Sequence, residues 1–223
     1  MSPLYKILFS ISSYSNLLPI IPLLFLYNKL DKAFRIYLIV LIVGASNDLL
    51  GFAKIVLGFH FNYLLINDFH EIINYALILS FFYFLNNRKY LNSYVIVFLI
   101  GLSVQSIDWF FITKFKYNSI YANLFYYMVC CYLCFDRINY QIIHSKKLVY
   151  KIDWLLIFFI TICVYYSYAI FTLTLYCLNI PLNIKIDVSL YYTLNIVNTV
   201  VNITLTYVIT KLPGKLERIS YTK

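Results

Sequence analysis

Apolar runs of roughly 20 residues recur along the whole chain, separated by short turns that hold most of its lysines and arginines. Wound as a helix, a run of that length spans the ~30 Å hydrocarbon core of a bilayer. Seven such spans can be drawn: Ile7 to Leu26, Ile36 to Val56, Asn67 to Leu85, Tyr94 to Phe111, Ser119 to Phe135, Trp154 to Tyr176 and Ser189 to Ile209. A membrane barrel would show segments of about 10 residues alternating in polarity, a pattern this chain lacks. The expected fold is therefore all-α, a polytopic integral membrane bundle of seven transmembrane helices forming one domain over residues 1–223. Composition agrees, with 62% of the residues hydrophobic, 12% charged and a mean hydropathy of +0.78. With 24 Tyr and 19 Phe against 5 Gly, helix contacts must rest on bulky rings more than on small residues.

The formal net charge of +9 does not imply nucleic acid, because the basic residues sit in membrane-flanking turns and not on a solvated arm. Their distribution sets an orientation. The first, third and fifth turns and the C-terminal tail hold 13 of the 18 lysines and arginines, among them Lys29, Arg35, Arg88, Arg137, Lys147 and Lys211. The opposite side holds Lys6, Lys54, Lys114, Lys116 and Lys185. The N-terminus is expected outside and the C-terminus in the cytoplasm, in a bacterial inner membrane crossed several times. One lysine before the first apolar run, and no small-residue cleavage pattern after it, read as a retained span. The 5 cysteines lie mostly inside apolar spans, which argues against a disulfide framework.

The intramembrane polar residues are unevenly distributed in depth. At ~1.5 Å per residue, Asp48, Glu71, Asn74, Gln105, Asp108, Asn195, Asn198 and Asn202 all fall between the midplane and the outer surface. A carboxylate in hydrocarbon costs roughly 2.5 to 3.5 kcal/mol on insertion scales, so Asp48, Glu71 and Asp108 should face a shared interior or water. On the third span Asn67, His70, Glu71 and Asn74 recur at spacings of three and four, one helical face. Asn195, Asn198 and Asn202 do the same on the seventh. Two such stripes facing one another would wall an outward-facing pocket, with Asp48, His70, Glu71, Asn74, Gln105, Asp108, Asn195, Asn198 and Asn202 as its candidate lining. The alternative is a closed network of helix-linking hydrogen bonds that needs no ligand. Asp68 reads as an interfacial residue favoured by the positive end of its helix.

Other features carry less chemistry. His60 and His70 stand near acidic residues, but no H-E-x-x-H or other close-spaced pair supports a metal, and no cofactor motif occurs. The C-x-x-C within Cys130 to Cys134 lies in an apolar span and reads as small-residue packing. Gly44, Gly51 and Gly58 recur every seventh residue and mark a close helix approach. Pro19 and Pro22 should bend the first span. Tyr165, Tyr166 and Tyr168 could stack on an apolar ligand, though such a cluster more often packs. The seventh span holds no lysine, which removes the retinal attachment point of a microbial rhodopsin. No connection has room for a soluble catalytic domain, and there is no glycine-rich phosphate loop.

With Glu71 early in span three, F-x-Y-N-S at Phe115 to Ser119 and V-N-T-V-V-N at Val197 to Asn202, the chain resembles a group of uncharacterised seven-span inner-membrane proteins common in Bacteroidota. It departs from them at Tyr121 and Asn123, where a basic residue is expected. The resemblance implies a compact bundle without cofactor, an accessory to signal transduction. The leading expectation is a receptor or sensor component, in contact with the lipid bilayer and with a cytoplasmic or membrane signalling protein. A small secondary transporter and an intramembrane enzyme acting on lipid are the rivals; in the latter Asp48, His70, Glu71 and Asp108 would act as acid, base or water-activating groups.

Overall fold

A computed structural model describes residues 3–60, 62–86, 88–114, 119–144, 153–177 and 184–212, and every regular element among them is helical. Phe115 to Asn118, Lys146, Lys147, Lys151 and the basic tail from Pro213 onward lie outside the described residues. Eight α-helices make seven rods. The first rod joins α1 (Pro3–Ser15) to α2 (Ile20–Phe25), and the rest are α3 (Lys32–Ile55), α4 (Tyr63–Leu85), α5 (Leu91–Ile107), α6 (Ile120–His144), α7 (Trp154–Cys177) and α8 (Ile184–Lys211). Each rod packs against the next and α8 returns to α1, closing a ring in which α4 also meets α6. The end holding the α3–α4 and α5–α6 turns is called upper here, and that holding the α2–α3 and α4–α5 turns lower.

Five stretches are long and apolar enough to cross a membrane: Lys6–Phe25, Lys32–Ile55, Leu91–Thr113, Trp154–Leu175 and Tyr192–Lys211. The rods of the expected third and fifth spans are not among them. Asp68, His70, Glu71 and Asn74 dilute the upper half of α4, and Asp136 with Arg137 interrupts α6. The outward faces are strongly apolar, with Ile96, Leu99, Val164, Phe171, Val200 and Ile203 each more than half exposed. In water such a surface would drive association, whereas it suits hydrocarbon.

Local chemistry explains where the rods begin and break. Asp31 caps α3 by accepting from the Phe34 N–H at 2.9 Å, and Asp153 caps α7 by accepting from Leu155 at 3.0 Å and Leu156 at 3.3 Å. Pro19 has no N–H, and its ring would clash with the carbonyl of Ser15, the last residue of α1. The helix resumes only at Ile20, so the expected bend is a break, and Asn16 falls inside it. Beyond Ile107, α5 widens into a π-helical turn over Asp108–Thr113, which carries this rod past the expected limit of Phe111.

The lower half of the ring is filled with rings. Phe34 and Tyr37 of α3 meet Phe158 of α7 at 5.4 and 5.0 Å between centroids, and Phe81 of α4 lies 5.7 Å from Phe34. Higher up, Tyr75 and Tyr126 stack at 4.2 Å, and a Cβ on Gly101 would come within 2.5 Å of Tyr75. Gly101 therefore permits the crossing of α5 with α4 and α6. On α3 the seven-residue glycine spacing marks a tight approach only at Gly51, where a Cβ would lie 2.9 Å from the Tyr63 hydroxyl. Gly44 leaves ordinary contact distance, and Gly58 lies past the helix in a left-handed turn at φ +78° with open space around it.

Candidate functional site

The polar residues of the upper half do not form one pocket. They separate into a closed carboxylate cluster, an amide network and a small cavity. The closed cluster is built around Asp68, only 3% exposed, which accepts from Trp109 Nε1 at 2.8 Å, from Ser119 Oγ at 2.9 Å and from the Ser119 N–H at 3.2 Å. Beside it Asp108, fully buried, accepts from the N–H groups of Tyr121 at 3.0 Å and Ala122 at 3.2 Å. These are orphan donors of the first turn of α6, so two carboxylates from other rods do the work of its N-cap. Gln105 completes the cluster by donating to Ser119 Oγ at 2.6 Å while accepting from the Tyr126 hydroxyl at 3.2 Å. Asp68 is thus a buried anchor and not an interfacial residue. Gln105 and Asp108, candidate pocket residues by sequence, belong to this anchor.

Asn198 and Asn202 of α8 face α1, not α4. Asn198 Nδ2 donates to Ser12 Oγ at 2.9 Å and to Asn16 Oδ1 at 3.2 Å. Asn202 Nδ2 donates to Ser15 Oγ at 3.1 Å and also to Asn16 Oδ1. With its carbonyl oxygen occupied in this way, Asn16 presents its amide to the Asp48 carboxylate. The two predicted stripes therefore do not wall one pocket; the α8 stripe holds the broken first rod and reaches Asp48 only through Asn16. Asn195 lies one turn above Asn198 and is not among the cavity residues.

The cavity itself, about 120 Å³, lies between α3, α4, α6 and α7. Asp48, Glu71 and Asn74 line it, joined by Asn47 and by Tyr75, Tyr126, Tyr127, Tyr165 and Tyr166. Hydrogen-bond acceptors are in excess there. Glu71 Oε1 receives one long bond, 3.4 Å, from the Tyr127 hydroxyl, and Asp48 receives the Asn16 amide. Asn47 spends its amide on Asn67 Oδ1 at 2.8 Å, and the buried Oδ1 atoms of Asn47 and Asn74 have no hydrogen-bond partner. Among the described residues no lysine or arginine lines the cavity. A site of this composition takes a donor or a cation. His70 is not part of its wall, and among the described residues no three His, Cys, Asp or Glu side chains converge as a metal site requires.

Several of these groups were invisible in the sequence. Asn16 could have been found from Pro19, which ends the helix just before it. Tyr127 looks like any of the other tyrosines until the packing turns it inward, whereas of the sequence-noted cluster Tyr165 and Tyr166 line the cavity and Tyr168 does not. The four cysteines Cys130, Cys131, Cys134 and Cys163 are buried and free; Cys131 and Cys163 sit 3.7 Å apart between α6 and α7, and Cys130 touches the cavity.

No protein-family model, curated protein or solved structure matches this chain. Function has to be argued from the chemistry of the cavity.

Proposed function

We propose that the chain is a seven-span protein of a bacterial inner membrane, N-terminus outside and C-terminus cytoplasmic, that acts as a receptor or sensor component and binds a small organic cation in the cavity between Asp48 and Glu71. One observation carries the reading: two carboxylates and two unpartnered amide oxygens converge on a small, tyrosine-walled space with no basic residue among the described residues of its lining. A volume of about 120 Å³ corresponds to roughly four waters at ~30 Å³ each, so an amine of a few heavy atoms fits and a metabolite of drug size does not. The tyrosine faces add cation–π attraction to the carboxylate charge. Below the cavity, the Phe34, Tyr37, Phe81 and Phe158 rings fill the lower half of the ring, which supports binding over passage. The basic lower turns supply a surface for an acidic signalling partner or anionic lipid.

Methylammonium is the simplest probe. In micelles it should raise the unfolding temperature saturably, and Asp48→Asn and Glu71→Gln should abolish that rise while unfolding like the wild type in its absence. Equal stabilisation of both variants would remove the cavity from the reading. Uptake of methylammonium into proteoliposomes, stopped by Glu71→Gln, would replace the sensor with a transporter.

A further inference from the structure

A second and larger recess lies on a different side of the bundle from the carboxylate cavity and runs down to the lower end. It occupies about 1020 Å³ between α5 and α6, with α4 and α7 as its back wall. The lining along α6 runs from Phe125 to Gln141, ~24 Å of helix, longer than one ~15 Å hydrocarbon leaflet. Its deep part is apolar, formed by Leu79, Val97, Phe125, Val129 and Phe159. Met128 and Tyr132, at 54% and 70% exposure, stand uncovered along the same wall. The lower rim changes character and carries Lys89, Asp136, Arg137 and Asp153.

Arg137 is the informative group. It is 92% buried, lies over the Tyr140 ring at 5.4 Å, and its Nε has no hydrogen-bond partner. A buried guanidinium demands acceptors, preferably a planar pair of anionic oxygens. No hydrogen bond from Arg137 to the acids nearby fills that need: Asp136 is exposed, and Asp153 spends Oδ1 on the cap of α7, which leaves its Oδ2 for another partner. An apolar slot of leaflet length, ending in an unsatisfied arginine beside a lysine and two carboxylates, matches a molecule with a long hydrocarbon tail, a phosphodiester and an ammonium group.

We propose that this cleft binds one zwitterionic glycerophospholipid of the phosphatidylethanolamine type, its acyl chain lying between α5 and α6, its phosphate on Arg137 and Lys89, and its ammonium at Asp136 and Asp153. The site is independent of the Asp48–Glu71 cavity. In the orientation proposed above, the lipid comes from the cytoplasmic leaflet, and its headgroup stands where the α4–α5 turn meets the start of α7.

Native mass spectrometry of the full chain from micelles tests the assignment, with phosphatidylethanolamine, phosphatidylglycerol and inorganic phosphate as separate probes. One phosphatidylethanolamine should remain bound, and Arg137→Gln should weaken it by about tenfold, as expected for a charge-assisted pair lost from a buried site. Met128→Trp, which fills the slot and leaves Arg137 in place, should weaken it as well, and Glu71→Gln should not. Phosphatidylglycerol bound as tightly as phosphatidylethanolamine would overturn the zwitterionic assignment. Displacement by inorganic phosphate alone, or wild-type lipid retention in both Arg137→Gln and Met128→Trp, would overturn the lipid site.

Discussion

Two pairs of carboxylates lie in the same half of this bundle, Asp68 with Asp108 buried and Asp48 with Glu71 half-buried, and they are treated differently. Asp68 takes three donors over its two oxygens, and Asp108 takes two backbone N–H groups on Oδ2 while its Oδ1 has no hydrogen-bond partner; all of these donors are positioned by the fold itself. Asp48 and Glu71 each receive a single side-chain hydrogen bond and look into open space beside two unpartnered amide oxygens. Hydrogen-bonded backbone donors repay the desolvation of a carboxylate; open space does not. The first pair is explained by the stability of α6. The second has no such explanation, and that difference is what directs a functional reading to the cavity.

The largest expected effect comes from removing the saturated anchor. Asp68→Ala would strand the Ser119 N–H in a buried place and remove the acceptor of the Trp109 indole, at a cost of about 3 kcal/mol, since an orphaned buried donor costs roughly 1 to 3 kcal/mol. Asp68→Asn, which keeps an acceptor oxygen, should recover about half of this loss. Reversible unfolding in mixed micelles reads both values. Should Asp68→Ala prove no worse than Glu71→Gln, the distinction between anchor and site collapses.

A smaller effect is expected from the wall that separates the two regions. Tyr126 lines the cavity, yet its hydroxyl bonds to Gln105 of the anchor, and it is held against Tyr75 and Gly101. Gly101→Ala would force a methyl to within 2.5 Å of the Tyr75 ring. Overpacking of this kind costs about 1 to 3 kcal/mol, and a value near 2 kcal/mol is expected here. Because the displaced tyrosines border the cavity, Gly101→Ala should also weaken methylammonium binding. A stability loss with binding untouched would show that the wall serves the anchor alone.

The class of fold was legible because apolar run length and basic turns act through the solvent, and every residue of a span contributes to that signal. The upper-half placement of the polar residues was legible for the same reason, since depth follows from helical rise. What sequence could not supply was azimuth. Glu71 and Asp68 differ by three positions on one helix, yet one faces the cavity and the other binds α6. Asn198 and Glu71 were both placed in the upper half by sequence, but α8 turns its stripe to α1, where Ser12 and Ser15 of the helix and Asn16 of the Pro19 break receive it. Rotation about a helix axis is set by neighbours, and a single chain's pattern does not name them. Asp108 was misjudged for a related reason. Its partners are backbone groups of α6, which no side-chain pattern reveals.

The smallest expected effect concerns the link from the amide network to the cavity. Asn202 donates to Ser15 and Asn16, and Asn16 in turn donates to Asp48, so α8 fixes which atom of Asn16 meets the carboxylate. Interhelical hydrogen bonds in membrane bundles contribute about 0.6 kcal/mol each, so Asn202→Ala should cost little stability, on the order of 1 kcal/mol for its shared amide. Its informative consequence is in binding. With one of its two amide donors from α8 gone, Asn16 is freer to turn its carbonyl toward Asp48, which would repel the carboxylate and leave it unbonded. Asn202→Ala should therefore alter methylammonium affinity more than it alters stability, whereas Ser15→Ala, which removes an acceptor for Asn202 and a local bond to the Ser12 carbonyl, should alter neither by much. If the two variants behaved alike in a binding titration, Asp48 would owe its position to α3 alone, and the amide network would be a helix clamp with no part in the site.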